Sequence, residues 1–138
     1  MFREAVNLYT GGRFGQAKAR FLAVRQIDPA YPELGTYLKS IGDNEEKIRK
    51  GISAFFAGEY QQAIDQLRET SRSGGDNANM FAFLACSYAA QYLLTGAEDG
   101  SLRDYAVNAY GRTKQVDAAY TLNDKFISPK IIALLRGD

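Results

Sequence analysis

Gly58-Glu59-Tyr60-Gln61-Gln62-Ala63-Ile64-Asp65-Gln66-Leu67 is the stretch that decides how this chain folds. Ile48, Ile52, Phe55 and Phe56 precede it, and Tyr60, Ala63, Ile64 and Leu67 run through it. Their spacing of three and four lays one apolar stripe on each of two helices. Gly58 falls where the first helix should stop, and glycine takes the left-handed conformation that ends a helix at little steric cost. Two antiparallel helices joined by a very short turn are therefore predicted. Ala63, small and in the middle of its stripe, lets a neighbouring helix come close.

The pattern recurs. Gly12, Phe14, Ala17 and Phe21 stand at the same offsets as Gly58, Tyr60, Ala63 and Leu67, and Asp28-Pro29-Ala30-Tyr31 follows the first set. A third copy has Phe81, Leu84, Ala85 and Tyr88 in its first half and Ala106 and Tyr110 in its second. It closes with Asp117-Ala118-Ala119-Tyr120, an echo of the earlier tetrad. Internal repetition of a helix-turn-helix unit is the signature of an α-solenoid.

In these residues the chain resembles the tetratricopeptide repeat (TPR) family. That pattern has a Gly-x-aromatic-x-x-Ala segment, a large apolar residue four positions after the Ala and a Pro twelve after it. Pro29 supplies the last in the first copy; Gly75 stands there in the second. The resemblance covers most of residues 1–120 and implies an all-α solenoid of antiparallel helix pairs. The copies are expected at about 1–31, 45–75 and 78–120, within one domain spanning 1–138. Regular repeats run about 34 residues, whereas Ala17 to Ala63 is 46 and Ala63 to Ala106 is 43. The array is thus irregular, with an extra helix expected at 32–41 and further residues around Thr95–Ser101.

Elsewhere the punctuation is local. Residues 2–11 and 14–27 form the first expected pair, with Phe2, Val6 and Tyr9 inward. Pro29 and Pro32 bracket a break, and Leu34, Leu38 and Ile41 stripe the extra helix. Gly42-Asp43-Asn44 is expected to end it, with Asp43 and Glu46 as a capping box for the next helix. Ser71–Asn77 is a polar, Gly-rich loop. Residues 78–95 carry Ala78, Ala82, Ala85, Ala89 and Ala90, which suit close packing on both sides. Residues 101–117 follow, with Leu102, Tyr105, Ala106, Ala109 and Tyr110 inward. Ser128-Pro129 starts a last helix to 136, striped by Ile131, Ile132, Leu134 and Leu135, that caps the stack.

Composition narrows the chemistry. A chain of 138 residues, 46% hydrophobic and 24% charged, suits one soluble domain with a core of its own. A net charge of +1 creates no bulk field toward nucleic acid or an anionic membrane. No segment has the length and apolarity of a bilayer span, and the N-terminus has no signal-peptide pattern. The expected setting is a soluble segment of a larger bacterial protein, since Met1 falls partway into the first copy. It would be cytoplasmic, or periplasmic if the parent is exported. With no histidine and a single cysteine, Cys86, the usual zinc sites and Ser-His or Cys-His catalysis are excluded. No cofactor, no metal and no enzymatic activity are expected.

The TPR resemblance implies a concave groove lined by the first helix of each repeat. Its positions would be Phe2, Arg3, Val6 and Tyr9; then Ile48, Arg49, Ile52, Phe55 and Phe56; then Asn79, Ala82, Phe83, Cys86 and Ala89. Some TPR domains hold a peptide carboxylate there with Lys and Asn, but Val6, Ile52 and Cys86 occupy the Asn place, so that clamp is absent. What remains is an apolar groove for a partner's amphipathic helix or extended peptide. Phe2, Val6, Tyr9, Arg49, Ile52, Phe55, Phe56, Phe83 and Cys86 are its candidate contacts. The alternative is structural: the groove is filled by the chain's own extra helices or by a second copy. Gly11–Lys18 resembles a phosphate loop but lacks Gly-Lys-Ser/Thr and follows a helix. Asp43, Glu45, Glu46 and Asp99 suit caps and solvated ends. Cys86, on an apolar stripe with no basic residue within a helical turn, suits a buried inert thiol. Arg136-Gly137-Asp138 suits a frayed tail.

Overall fold

Gly12 and Gly58 both have φ of +80°, and the backbone around them is the same turn built twice. Gly12 N–H donates to Tyr9 O at 3.0 Å and Arg13 N–H to Leu8 O at 2.9 Å; Gly58 N–H donates to Phe55 O at 3.0 Å and Glu59 N–H to Ala54 O at 2.9 Å. This is the paired closure of a Schellman cap, which satisfies carbonyls the ending helix leaves free. The next residue matches as well, with φ −89°, ψ 66° at Arg13 and φ −89°, ψ 67° at Glu59. Gly96, at φ +75°, repeats the motif with bonds to Leu93 O and from Ala97 N–H to Tyr92 O.

The computed structural model describes residues 1–73 and 75–137, and among them seven α-helices and no strand. They are α1 (Phe2–Thr10), α2 (Phe14–Ile27), α3 (Leu34–Phe56), α4 (Tyr60–Arg72), α5 (Ala78–Leu94), α6 (Gly100–Val116) and α7 (Pro129–Arg136). Each Gly turn folds a helix back on its predecessor, giving the hairpins α1/α2, α3/α4 and α5/α6. Successive hairpins touch through α2 with α3 and α4 with α5, and α7 lies against α5 and α6.

Two apolar interiors result. One joins Ala5, Ala17, Phe21, Val24, Leu34 and Ile41. The other runs from Ile48, Phe55 and Leu67 through α5 to α6 and α7. Ala17, Ala63 and Ala106, the small residues singled out at the repeat positions, are all fully buried. Gly51 allows the closest approach: a Cβ there would lie 2.6 Å from both Cγ and Cδ2 of the buried Leu67. The tetrad echo is also structural. Asp28 (φ −141°, ψ 91°) and Asp117 (φ −144°, ψ 97°) end α2 and α6 alike. Their carboxylates accept from Ala30 N at 3.1 Å and Ala119 N at 3.0 Å.

The expected break at Gly42-Asp43-Asn44 does not occur, so 32–41 is not a separate helix. Pro32 precedes the helix, Glu33 caps it in a left-handed conformation, and α3 runs unbroken from Leu34 to Phe56. Leu34, Ile41, Ile48 and Phe55 are buried at seven-residue intervals, the first two in one interior and the last two in the other. A break would turn one of these pairs away from its core, at several times the roughly 1 kcal/mol that a helical glycine costs. The expected capping-box groups are used along the helix instead: Asp43 pairs with Lys39 at 2.9 Å, and Glu46 with Arg49 at 2.6 Å.

Side-chain caps start the last three helices. Asn77 Oδ1 accepts from Met80 N, Asp99 Oδ1 from Ser101 N, and Ser128 Oγ from Lys130 N, with Pro129 in the first turn of α7. Tyr105, expected inward, is exposed: it comes one position before the buried Ala106 and lies against Tyr88 with ring centroids 5.4 Å apart. The loop expected at Ser71–Asn77 starts later, since Ser71 and Arg72 are still helical, and Gly74 lies outside the described residues. Gly75 is tucked in, where a Cβ would meet the Phe14 ring at 3.3 Å. The tail expected at Arg136-Gly137-Asp138 is helical at Arg136 and left-handed at Gly137; Asp138 lies outside the described residues.

Candidate functional site

The C-terminal end of α3 presents Ile52, Phe55 and Phe56 on adjoining turns, and α5 brings Phe83 against them. Phe55 is buried and holds the others. Its ring lies 5.2 Å from Phe56, 5.7 Å from Phe83 and 5.7 Å from Tyr60. Phe56 and Phe83 are 5.5 Å apart. Phe83 and Ile52 are half-buried, while Phe56 is 54% exposed although both its aromatic neighbours touch it. Rings at these separations and tilts attract beyond simple burial. The outcome is a fixed apolar surface whose outermost ring keeps half its area in water. Arg49 stands one turn earlier, with Nε and Nη2 both donating to Glu46. That bidentate contact holds the Glu46 carboxyl below its usual range and raises the guanidinium.

The candidate contacts do not form one continuous groove. Phe2, Val6 and Tyr9 belong to the other interior, half-buried against the first part of α3. Phe2 lies 5.9 Å from Tyr37 and 4.6 Å from Tyr31; Tyr9 lies 5.1 Å from Tyr37, and its hydroxyl is 2.7 Å from Ser40 Oγ. The long α3 thus carries its own ring, Tyr37, into the space where a partner was expected. Cys86 offers no contact surface at all, being fully enclosed at 0% exposure. Of the nine, Ile52, Phe55, Phe56 and Phe83 converge, while Arg49, paired with Glu46, lines a separate cleft with Ser53 and Gln62.

Burial pushes the Cys86 thiol up to about 12, so it stays protonated and inert at neutral pH. Nearby Tyr120 is also raised to about 12, first by burial and then by the neighbouring Cys86, Tyr110 and Asp117; its hydroxyl donates to Asn79 Oδ1 at 2.8 Å. The acidic residues have structural partners: Glu45 holds Lys18 at 3.0 Å, and Asp99 caps α6. That pairing of Lys18, with Gly12 as the helix-ending residue, accounts for the phosphate-loop-like letters. Among the described residues no group of three or more Cys, Asp or Glu converges as metal ligands would, and no helix is long and apolar enough to cross a membrane.

Sequence reading missed two features. Gly51 was one, though a glycine inside an apolar helical stripe is itself a sign of close approach. The other is a cleft between α4 and α6 lined by three arginines, which only the tertiary structure assembles. No family model matches this chain, and neither the curated proteins nor the solved structures contain a match.

Proposed function

We propose that this chain is a non-catalytic protein-interaction module of TPR-like helical repeats. On this reading Ile52, Phe55, Phe56 and Phe83 receive the apolar face of a partner's helix or peptide. The observation that carries the reading is Phe56: a large ring braced by Phe55 and Phe83 yet 54% exposed. A ring needed only for the core would be covered, and a merely tolerated one would have no aromatic seat. Rigid aromatic anchors of this kind carry much of the energy at protein interfaces. The recurring Schellman turns, the buried alanines and the matching Asp tetrads support the repeat architecture.

The structural alternative has one observation in its favour. Over α1 the expected groove is already occupied by Tyr37 and Leu38 of α3. Self-filling therefore describes the first third of the array and leaves the Phe56 surface open.

The test is parallel capture of partners by wild type and Phe56→Glu, after circular dichroism has shown equal helicity. A partner retained by wild type and lost from the variant supports the reading. Equal retention moves the site elsewhere, and loss of helicity in the variant assigns Phe56 to the core. Sedimentation velocity addresses self-association: a dimer that Phe56→Glu dissociates makes a second copy the occupant.

A further inference from the structure

A second, chemically different surface lies between α4 and α6, over α5. Arg68 and Arg72, one helical turn apart on α4, face Arg112 on α6 across an open cleft of about 220 Å³. Tyr88 and Tyr105 form its apolar wall, with ring centroids 5.4 Å apart, and Asn108 adds an amide. None of these residues belongs to the Phe56 surface, and among the described residues no carboxylate lines the cleft.

Two cations between helices elsewhere are neutralised. Lys18 meets Glu45 at 3.0 Å and Arg20 meets Glu4 at 3.2 Å. In the cleft, among the described residues, Arg72 and Arg112 have no carboxylate within 4.0 Å, and Arg68 reaches Asp65 only at 3.7 Å, too long for a hydrogen bond. Arg112 is nonetheless held in place, its guanidinium carbon 4.2 Å over the buried Phe81 ring. Three guanidinium groups with only Asp65 within 4.0 Å of one of them, among the described residues, leave the cleft net positive, and an arriving anion neutralises it. Guanidinium forks match the oxygens of carboxylate and phosphate.

We infer that this cleft binds an acidic polypeptide segment, with its oxyanions on Arg68, Arg72 and Arg112 and an apolar neighbour against Tyr88 and Tyr105. The site is independent of the Phe56 surface, so one chain can hold two partner segments of opposite character. Carboxylate and phosphate oxyanions share the required chemistry.

The experiment is fluorescence anisotropy at low salt with three labelled short peptides: one alternating Glu and Leu, one with phosphoserine for Glu, and one with Gln for Glu. Either anionic peptide, or both, should bind, and the Gln peptide should not. Arg72→Ala/Arg112→Ala should weaken binding about tenfold or more, and added salt should weaken the wild type. Arg13→Ala/Arg25→Ala, which removes equal charge from the two ends of α2, should leave affinity unchanged, as should Phe56→Glu. Tighter binding of the phosphoserine peptide assigns the site to phosphate, and tighter binding of the Glu peptide assigns it to carboxylates. The inference is overturned if neither anionic peptide binds, if the Gln peptide binds equally, or if the two double variants lose affinity alike.

Discussion

The first hairpin and the α4–α7 body use the same turn to build different interiors. Around α1 and α2 the space is filled by rings: Phe21 stacks on Tyr37 at 5.0 Å, Phe2 leans on Phe21 at 5.8 Å, and Tyr9 stacks on Phe14 at 5.1 Å. Around α5 it is closed by small residues, with Ala82, Ala85, Ala89 and Cys86 all at 0% exposure. Rings fill a gap between helices held apart; alanines let helices touch. The difference follows from α3, whose first half must serve α1 and α2 while its second half serves α4 and α5. The α1 and α3 backbones never come close, so long side chains bridge them.

This contrast can be broken most forcefully at a fully buried large residue in each interior. Phe21→Ala and Leu67→Ala should each cost about 2–5 kcal/mol locally. The consequences should differ. Phe21→Ala should speed hydrogen exchange in α1, α2 and the first turns of α3 while α5 stays protected; Leu67→Ala should lower protection in the second half of α3 and in α4–α7. Loss of α5 protection in Phe21→Ala would show that the two interiors melt as one.

A smaller effect tests the spacing of helices within α3. Gly51→Ala should destabilise by about 1–3 kcal/mol, because the new Cβ would strike Leu67, which has no room to move. Gly42→Ala, nine residues earlier in the same helix with open space around it, should stabilise by up to about 1 kcal/mol through helix propensity. Urea midpoints for the pair should move in opposite directions.

An effect absent at neutral pH is confined to the second interior. Cys86 and Tyr120 each hold their proton more tightly folded than unfolded, with folded values of about 12. The folded state therefore binds more protons at high pH. The stability due to this difference is fully present below the ordinary thiol and phenol ranges and is lost as pH rises from there towards 12. Each group contributes a slope of at most about 1.4 kcal/mol per pH unit. Cys86→Ala should flatten the dependence of the urea midpoint on alkaline pH, and an unchanged slope would remove Cys86 from the account.

Much of the fold was legible because its signals are local. Gly12 and Gly58 turn where a left-handed residue is needed, and Ser128-Pro129 starts α7 with its own cap. Asp28 and Asp117 end helices through bonds to backbone two residues on. The alanines at 17, 63 and 106 announced close crossings because only a small side chain suits them. Gly42-Asp43-Asn44 misled for the converse reason: three weak helix formers in a row look like a stop until the seven-residue run from Leu34 to Phe55 is weighed against them. The candidate site was half legible, since Ile52, Phe55 and Phe56 share a helical face, but nothing local tells Phe56 from Cys86 in exposure.

By itself, then, the sequence determined the helices, their turns, the small residues at their crossings and the absence of histidine chemistry, all set by neighbours a few positions apart. Only the tertiary structure decided that α3 is one helix shared by two interiors, that Tyr37 fills the space over α1, that Cys86 is enclosed while Phe56 is not, and that Arg68, Arg72 and Arg112 meet. Those outcomes depend on groups far apart in the chain competing for the same space, and a helical period says which face a residue is on without saying what will cover it.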